Sequence, residues 1–259
     1  MLSYQHIYHA GNLADVQKHA LLAVMLDYMG QKPKPMSYLE THAARGVYQL
    51  DDAAAVKTGE ADAGIGKVEE WFAPDHPYMR ALSAVRDRHG AAAYPGSPAI
   101  AQALLRAEDS MQLCELHPQE VSALRQTMRG SGAKVHQKDG FETVMGMCPP
   151  TPRRGVLLID PSYEIKSDYK TLPGWIANLH RKWNVGVIAL WYPILRDGAH
   201  EPMLDALEDK GFPKVLRHEV EFPPAREGHR MIGSGMFIIN APYGLEAEAQ
   251  DLTERFVSL

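Results

Sequence analysis

Cysteine is almost absent from this chain. Cys114 and Cys148 are the only two among 259 residues, and they form no Cys-x-x-Cys pair. That argues against a disulfide framework and a cysteine zinc centre. Long apolar runs are missing as well. The longest near the start, Ala20 to Leu26, falls far short of the roughly 20 residues that a bilayer span needs. The opening MLSYQHIYHAGN lacks the charged-then-apolar layout of a secretory signal, so the chain is expected in the cytoplasm, off the membrane. No Gly-x-Gly-x-x-Gly phosphate cradle follows the first predicted strand, which speaks against a nicotinamide dinucleotide. No closed metal-ligand set exists either, since His6-x-x-His9 stands alone, and no metal is expected. Positive charge is scarce: 27 Lys and Arg face 32 Asp and Glu, a net charge of −5. A broadly basic nucleic-acid coat is thereby excluded, and any RNA contact has to come from a local patch.

What is present is material for one α/β domain carrying a small insert, with 45% hydrophobic and 23% charged residues. Apolar residues at Val16, Ala20, Val24 and Tyr28 make a helical stripe, capped by Asn12 or Asp15 and stopped by Gly30 and Pro33. A short strand, Met36 to Glu40, leads into a turn of small residues. Residues 51–94 are polar, alanine-rich and helically spaced, and are expected to form a helical insert within a single domain spanning 1–259. Beyond them strands and helices alternate. GVLLI at 155–159 is apolar throughout, as a parallel strand buried on both faces should be. Seven strands with intervening helices predict a doubly wound open sheet, whose ligands sit outside the carboxyl ends of the strands.

That rule points to Asp160-Pro161-Ser162-Tyr163, directly after GVLLI. The exocyclic nitrogen of adenine is a poor nucleophile because its lone pair is delocalised into the ring. A carboxylate and a neighbouring backbone carbonyl that accept its two N–H bonds favour the tetrahedral, nucleophilic form. Proline holds the carbonyl, and an aromatic ring offers a face to a base taken out of its stack. A mere strand-ending turn is the plainer alternative. Further carboxylates close successive strands: Glu115, suited to the two hydroxyls of a ribose, and Asp139-Gly140, suited to an adenine amino group. Glu40 to Gly46 supplies small residues where backbone can approach a nucleoside. His6, His9, Lys18, His19 and His42 form an amino-terminal cluster fitted either to burial or to contacts with anions and bases. Trp191-Tyr192-Pro193 ends another strand beside the expected pocket. Arg153, Arg154, Lys166, Lys170, Arg181 and Lys182 flank the 155–164 strand and the helix after it, and are candidates for a phosphate-contacting patch or an ordinary solvated face.

These segments, taken together and in order, resemble the bacterial enzymes that methylate the N6 amine of an adenine in 23S ribosomal RNA. The resemblance rests on MLSYQHIYHAGNLADVQKH, YLETHAARGVYQL, YPGSP, QLCELHP, KDGF, RRGVLLIDPSYE, ALWYP and GSGMFIIN, which cover nearly the whole chain. It implies a Rossmann-like, seven-stranded class I methyltransferase fold with a small helical insert, and S-adenosyl-L-methionine as cofactor. It assigns His19, His42, Ser97, Glu115, Asp139, Gly140 and Asp160 to the cofactor, and Asp160 with Tyr163 to catalysis. Tyr4, His6 and Lys18 would lie toward the RNA. The implied partner is 23S ribosomal RNA, protein-free or as an early precursor, with no obligate protein partner. Two departures stand out: Ser162 replaces the second proline of the family's usual Asp-Pro-Pro-Tyr, and Thr41-His-Ala-Ala-Arg-Gly-Val-Tyr48 replaces Thr-His-Ala-Gly-Ala-Gly-Arg-Tyr. With Asp160 and Tyr163 retained, activity is expected to survive. A DNA adenine-N6 methyltransferase, and an inactive nucleic-acid-binding protein on the same fold, are the competing readings.

Overall fold

The computed structural model describes residues 5–224, 228 and 230–259. The expected Tyr4 therefore lies outside the described residues. A long first helix, α1 (Leu13–Gly30), is followed by β1 (Ser37–Glu40) and β2 (Val47–Gln49). Three single-turn helices, α2 (Ala53–Val56), α3 (Glu60–Ala63) and α4 (Ile65–Val68), precede α5 (Pro77–His89) and β3 (Ala93–Pro95). Then α6 (Ser97–Leu104), β4 (Ser110–Cys114), α7 (Pro118–Thr127), β5 (Lys134–His136), α8 (Gly140–Met147) and β6 (Gly155–Ile159) alternate. The chain closes with α9 (Asp168–Lys182), β7 (Val187–Leu195), α10 (Glu201–Glu208), β8 (Leu216–Glu221), β9 (Met231–Ile239) and α11 (Leu245–Val257).

Seven strands form one sheet in the order β5-β4-β1-β6-β7-β9-β8. The pairs from β5 to β7 are parallel, and β9 runs antiparallel to both β7 and β8. The connections leave β1 toward β4 on one side and reach β6 on the other, so the topological switch lies between β1 and β6. All five residues of β6 are buried, as its unbroken apolar run predicted. The helices of 53–89 fall in the block expected to be helical. The antiparallel ribbon of β2 and β3 that flanks them carries too short an apolar pattern to be read in advance.

Helix α1 departs from the amphipathic stripe that its spacing suggests. Asp15, Gln17, Lys18 and His19 are all buried, at 0–3% exposure, along with its apolar residues. Its polar side chains find partners instead of water, as buried polar groups must. Asn12 caps the helix by accepting from the Asp15 amide at 2.9 Å. Gln17 lies 2.9 Å from the ring of His218 on β8 and accepts at 2.6 Å from Ser234 on β9. Ser234 in turn accepts from the indole of Trp191 at 2.8 Å. This chain of bonds fixes α1 against the antiparallel half of the sheet and sets which way Lys18 and His19 project.

Candidate active site

A cavity of about 490 Å³ opens at the carboxyl edge of the sheet, across the switch point. Among the described residues, its walls include every residue that the sequence assigned to the site: His6, Lys18, His19, His42, Ser97, Glu115, Asp139, Gly140, Asp160 and Tyr163.

Asp160 follows β6 directly and occupies the centre of a charged array. Lys18 donates to its Oδ2 at 2.7 Å and lies 2.9 Å from Asp15 Oδ1. The Lys18 ammonium is also 5.3 Å from the ring centroid of Trp191. Burial opposes charge on this amine, yet the two carboxylates outweigh it and hold its pKa well above the ordinary lysine value. Burial likewise works against the Asp15 carboxylate, and His6, Lys18 and His19 together overcome it and hold its pKa down. Asp15 also receives the Gly11 amide and the ring of His6, each at 2.9 Å. The sequence reading gave Asp15 only a capping role. Its second role depends on Lys18 one turn away on the same helix, and on burial that no local pattern reveals.

Lys18, assigned beforehand to the RNA side, is thus a 3% exposed counter-ion of Asp160 within the wall. His6 reaches the same cluster through Asp15 and meets Tyr48 edge-on, with centroids 5.3 Å apart. His19 is 1% exposed and contacts the Tyr94 hydroxyl at 2.9 Å. Burial pushes its pKa down to about 3, so it is a neutral ring at physiological pH.

The carboxyl end of β1 carries a second buried acid. Glu40 is fully buried and accepts from Tyr38 at 3.0 Å and from the Ser97 hydroxyl. Burial raises its pKa to about 8, despite these two donors. Ser97 reaches it because the Gly96 amide donates to the Gly46 carbonyl at 2.7 Å, seating the start of α6 against the turn after β1. Glu40 was legible as a turn residue, but its neutral, inward-facing state was not.

The rim beyond is more open. Glu115, partly buried, accepts from the amides of Ala44 at 2.8 Å and His117 at 2.7 Å. Burial lifts its pKa, and those amides oppose the rise. Asp139 is exposed and caps α8 through the Glu142 amide at 2.9 Å. Gly140 admits no side chain, since a Cβ there would lie 1.9 Å from the Thr41 carbonyl oxygen. That close approach brings α8 against the end of β1. His42 sits between, bonded to Thr41 Oγ1 at 2.8 Å and edge-on to Phe141. Burial lowers its pKa to about 4.

Tyr163 adopts a left-handed backbone conformation, φ 55°, which turns its side chain back toward the sheet. Its hydroxyl donates to the Trp191 carbonyl at 2.7 Å and its ring stacks on Tyr169 at 4.6 Å between centroids. Trp191, weighed in the sequence between core and pocket wall, lines the cavity.

The proposed phosphate patch does not hold together. β6 runs from Gly155 toward the cavity and α9 runs back from it. Arg153, Arg154, Arg181 and Lys182 therefore stand at the amino edge, opposite the cavity. Arg154 donates to the carbonyls of Met29 and Lys34, and Lys182 donates to that of Met145. Lys166 and Lys170 alone of that set stay near the opening. Adjacency in sequence to the strand was a poor guide, because a strand and its return helix have two ends each.

Comparison with known proteins agrees with this geometry. Residues 33–258 match the family described as "Ribosomal RNA large subunit methyltransferase D, RlmJ". The chain is 39% identical to the ribosomal RNA large subunit methyltransferase J of Escherichia coli (strain K12), covering 97% of this chain and 91% of that one. It is 36% identical to the protein of the same name from Haemophilus influenzae, with 97% and 92% covered. A crystal structure of a Legionella pneumophila protein superposes with a TM-score of 0.86 at 33% identity, over 96% of this chain and 93% of that one. An S-adenosylmethionine-dependent methyltransferase from Agrobacterium tumefaciens, 9% identical with a TM-score of 0.50 over 86% of this chain and 61% of that one, shares the fold. The sheet order, the cavity at its switch point and these full-length matches make the chain a member of the RlmJ family of ribosomal RNA large subunit methyltransferases.

Proposed function

We propose that this protein methylates the exocyclic N6 amine of one adenine in 23S ribosomal RNA, in the cytoplasm, with S-adenosyl-L-methionine as methyl donor. The observation that carries the reading is the convergence of Asp160-Pro161-Ser162-Tyr163 with Glu115 and Asp139 on one cavity. The walls fit such a cofactor. They are rich in carboxylates suited to a ribose diol, an amino group and a sulfonium. Their buried lysine is already engaged by Asp15 and Asp160, so a phosphate cradle is not what they offer. When bound, the cofactor supplies an electrophilic methyl group. Glu115 would take the ribose hydroxyls; Asp139 and Gly140 would receive the adenine edge; His19, His42 and Ser97 would complete the wall.

The chain's own residues then do the following. Asp160 and the Pro161 carbonyl accept the two N–H bonds of the target amine and draw its lone pair out of the ring. Lys18 ties Oδ2 of Asp160, fixing the direction of the carboxylate while its remaining lone pairs serve the amine. After transfer the nitrogen carries a positive charge until a proton leaves, and Asp160 is the adjacent base. Tyr163 provides the aromatic wall for the extruded base. Tyr4 and His6 belong to the RNA side by resemblance.

An overall charge of −5 implies a modest RNA footprint, so protein-free RNA or a short hairpin is the expected substrate. The test is mass spectrometry of nuclease-digested ribosomal RNA from a strain lacking the gene. One N6-methyladenosine should be missing from the large-subunit RNA and return when purified enzyme and cofactor are added to the naked RNA. A fully modified RNA in that strain, with the enzyme labelling duplex DNA instead, overturns the ribosomal assignment and leaves the chemical one.

A further inference from the structure

A second cavity, about 530 Å³, lies beside the first in the groove between α9 and α10. The two share Tyr163, Tyr169, Leu195 and Arg230 in their walls. We propose that this groove seats the single-stranded RNA next to the target adenosine, with backbone phosphates on Lys166, Lys170 and Arg230 and a neighbouring base against Tyr169. The inference rests on the reading of the protein as an RNA methyltransferase, and adds the path of the strand.

Charge separates the two cavities. Seven carboxylate residues line the first: Asp15, Glu115, Glu120, Asp139, Asp160, Glu164 and Asp168. A base can enter there, but its phosphates are repelled and must stay outside. The groove reverses that balance, with Lys166, Lys170 and Arg230 against Asp197. Lys170 lies in the first turn of α9 and Lys166 in the turn just before it; both are exposed, and neither forms an ion pair among the described residues. Arg230 pairs with Asp197 across the groove mouth, where the two are 61% and 52% exposed. So exposed a pair is weak, and a phosphate can take the arginine from it.

The aromatic wall provides the other half of a single-strand site. Tyr169 is half-buried, with one side of its ring stacked on Tyr163, the residue proposed to face the target base. Adjacent aromatic platforms on either side of a shared wall suit two successive bases of one strand, and such stacking tolerates any sequence. The basic residues at the amino edge of the sheet face away from this path and contribute nothing to it.

The test uses the full chain and a short RNA hairpin containing the target adenosine. Lys166→Ala/Lys170→Ala should raise KM for the hairpin about tenfold at low salt. Turnover at saturating RNA, cofactor affinity and Tm should stay near wild type. The log–log salt slope of RNA binding should fall by about one to two, the scale of two lost phosphate contacts. Lys166→Arg/Lys170→Arg should restore both readouts, and Arg153→Ala/Arg181→Ala should alter neither. Wild-type KM and slope in the double alanine variant, with wild-type enzyme methylating the hairpin normally, overturn the groove alone. A wild-type enzyme that labels no RNA overturns the functional reading and the groove with it.

Discussion

At the amino edge of the sheet, Arg106 donates to the main-chain carbonyls of Lys32 at 2.8 Å and Lys34 at 3.1 Å, and Arg154 joins it on Lys34. Asp109 anchors Arg106 and accepts the amide of Met36 at 2.8 Å. At the carboxyl edge, Lys18 turns instead to two carboxylates that line a cavity. The residue types are the same. At one edge they fasten the link between α1 and β1, and at the other they hold charges where a ligand can meet them. Basic residues near a functional strand are therefore not interchangeable candidates, since the direction of the chain decides which edge each one serves.

The largest effect that sharpens this contrast is expected at Asp160. Asp160→Ala should cut single-turnover transfer of a tritiated methyl group by at least about a hundredfold, the lower range for loss of a positioned acid–base group. Its Tm should move by only a few degrees, because Lys18 keeps Asp15. Unchanged transfer would break the comparison outright. The opposite pattern is expected for Asp109→Ala, which strands the Met36 amide and Arg106. Urea unfolding should register a loss of about 2–3 kcal/mol with turnover at saturating substrate unaltered.

Glu115→Ala should weaken S-adenosylmethionine binding by about 1.5–3 kcal/mol in titration calorimetry, the scale of hydrogen bonds to a charged group. A chelator should change nothing. Tyr163→Phe removes the bond to the Trp191 carbonyl and should cost about 1 kcal/mol of stability, while most transfer survives. A phenylalanine variant as inactive as Tyr163→Ala would show that the hydroxyl, not the ring, is what the chemistry uses.

The smallest effect is on pH dependence. Glu40 has its carboxyl raised from 4.5 to about 8, so between those values the folded state holds a proton that the unfolded chain releases. Its contribution falls as pH rises through that window. His19 and His42 are lowered from 6.5 to about 3 and 4, so their contribution falls as pH drops below 6.5. Above pH 6.5 Glu40 acts without opposition from the two rings. Glu40→Gln should therefore flatten the decline of Tm between pH 6.5 and 8 and leave the acid limb in place. An unchanged slope in that interval would show that the Glu40 proton is not retained.

Much of the architecture was legible in advance. The unbroken apolar run at 155–159 announced a central parallel strand, and the Gly30 and Pro33 stop marked the end of α1. Asp160, Glu115 and Asp139 were readable as strand-end carboxylates because the carboxyl-edge rule converts a strand boundary into a location. Asp15 and Glu40 were underread. Each sits beside a recognisable element end, where capping or turn duty is a sufficient local explanation. The β2–β3 ribbon was missed because three-residue strands leave no periodicity to detect.

The sequence by itself determined the alternation of strands and helices, the edge on which chemistry would gather, and the residue types available there. These follow from periodicity and chain direction, which are local properties. Only the tertiary structure brought Lys18 onto Asp160 across 142 residues, sealed Glu40 beneath Ser97 and Tyr38, and sent Arg153 and Lys166 to opposite edges of the sheet. Charge state depends on how much water a group loses and on which partners reach it through space. Neither quantity is written in the spacing of residues along the chain.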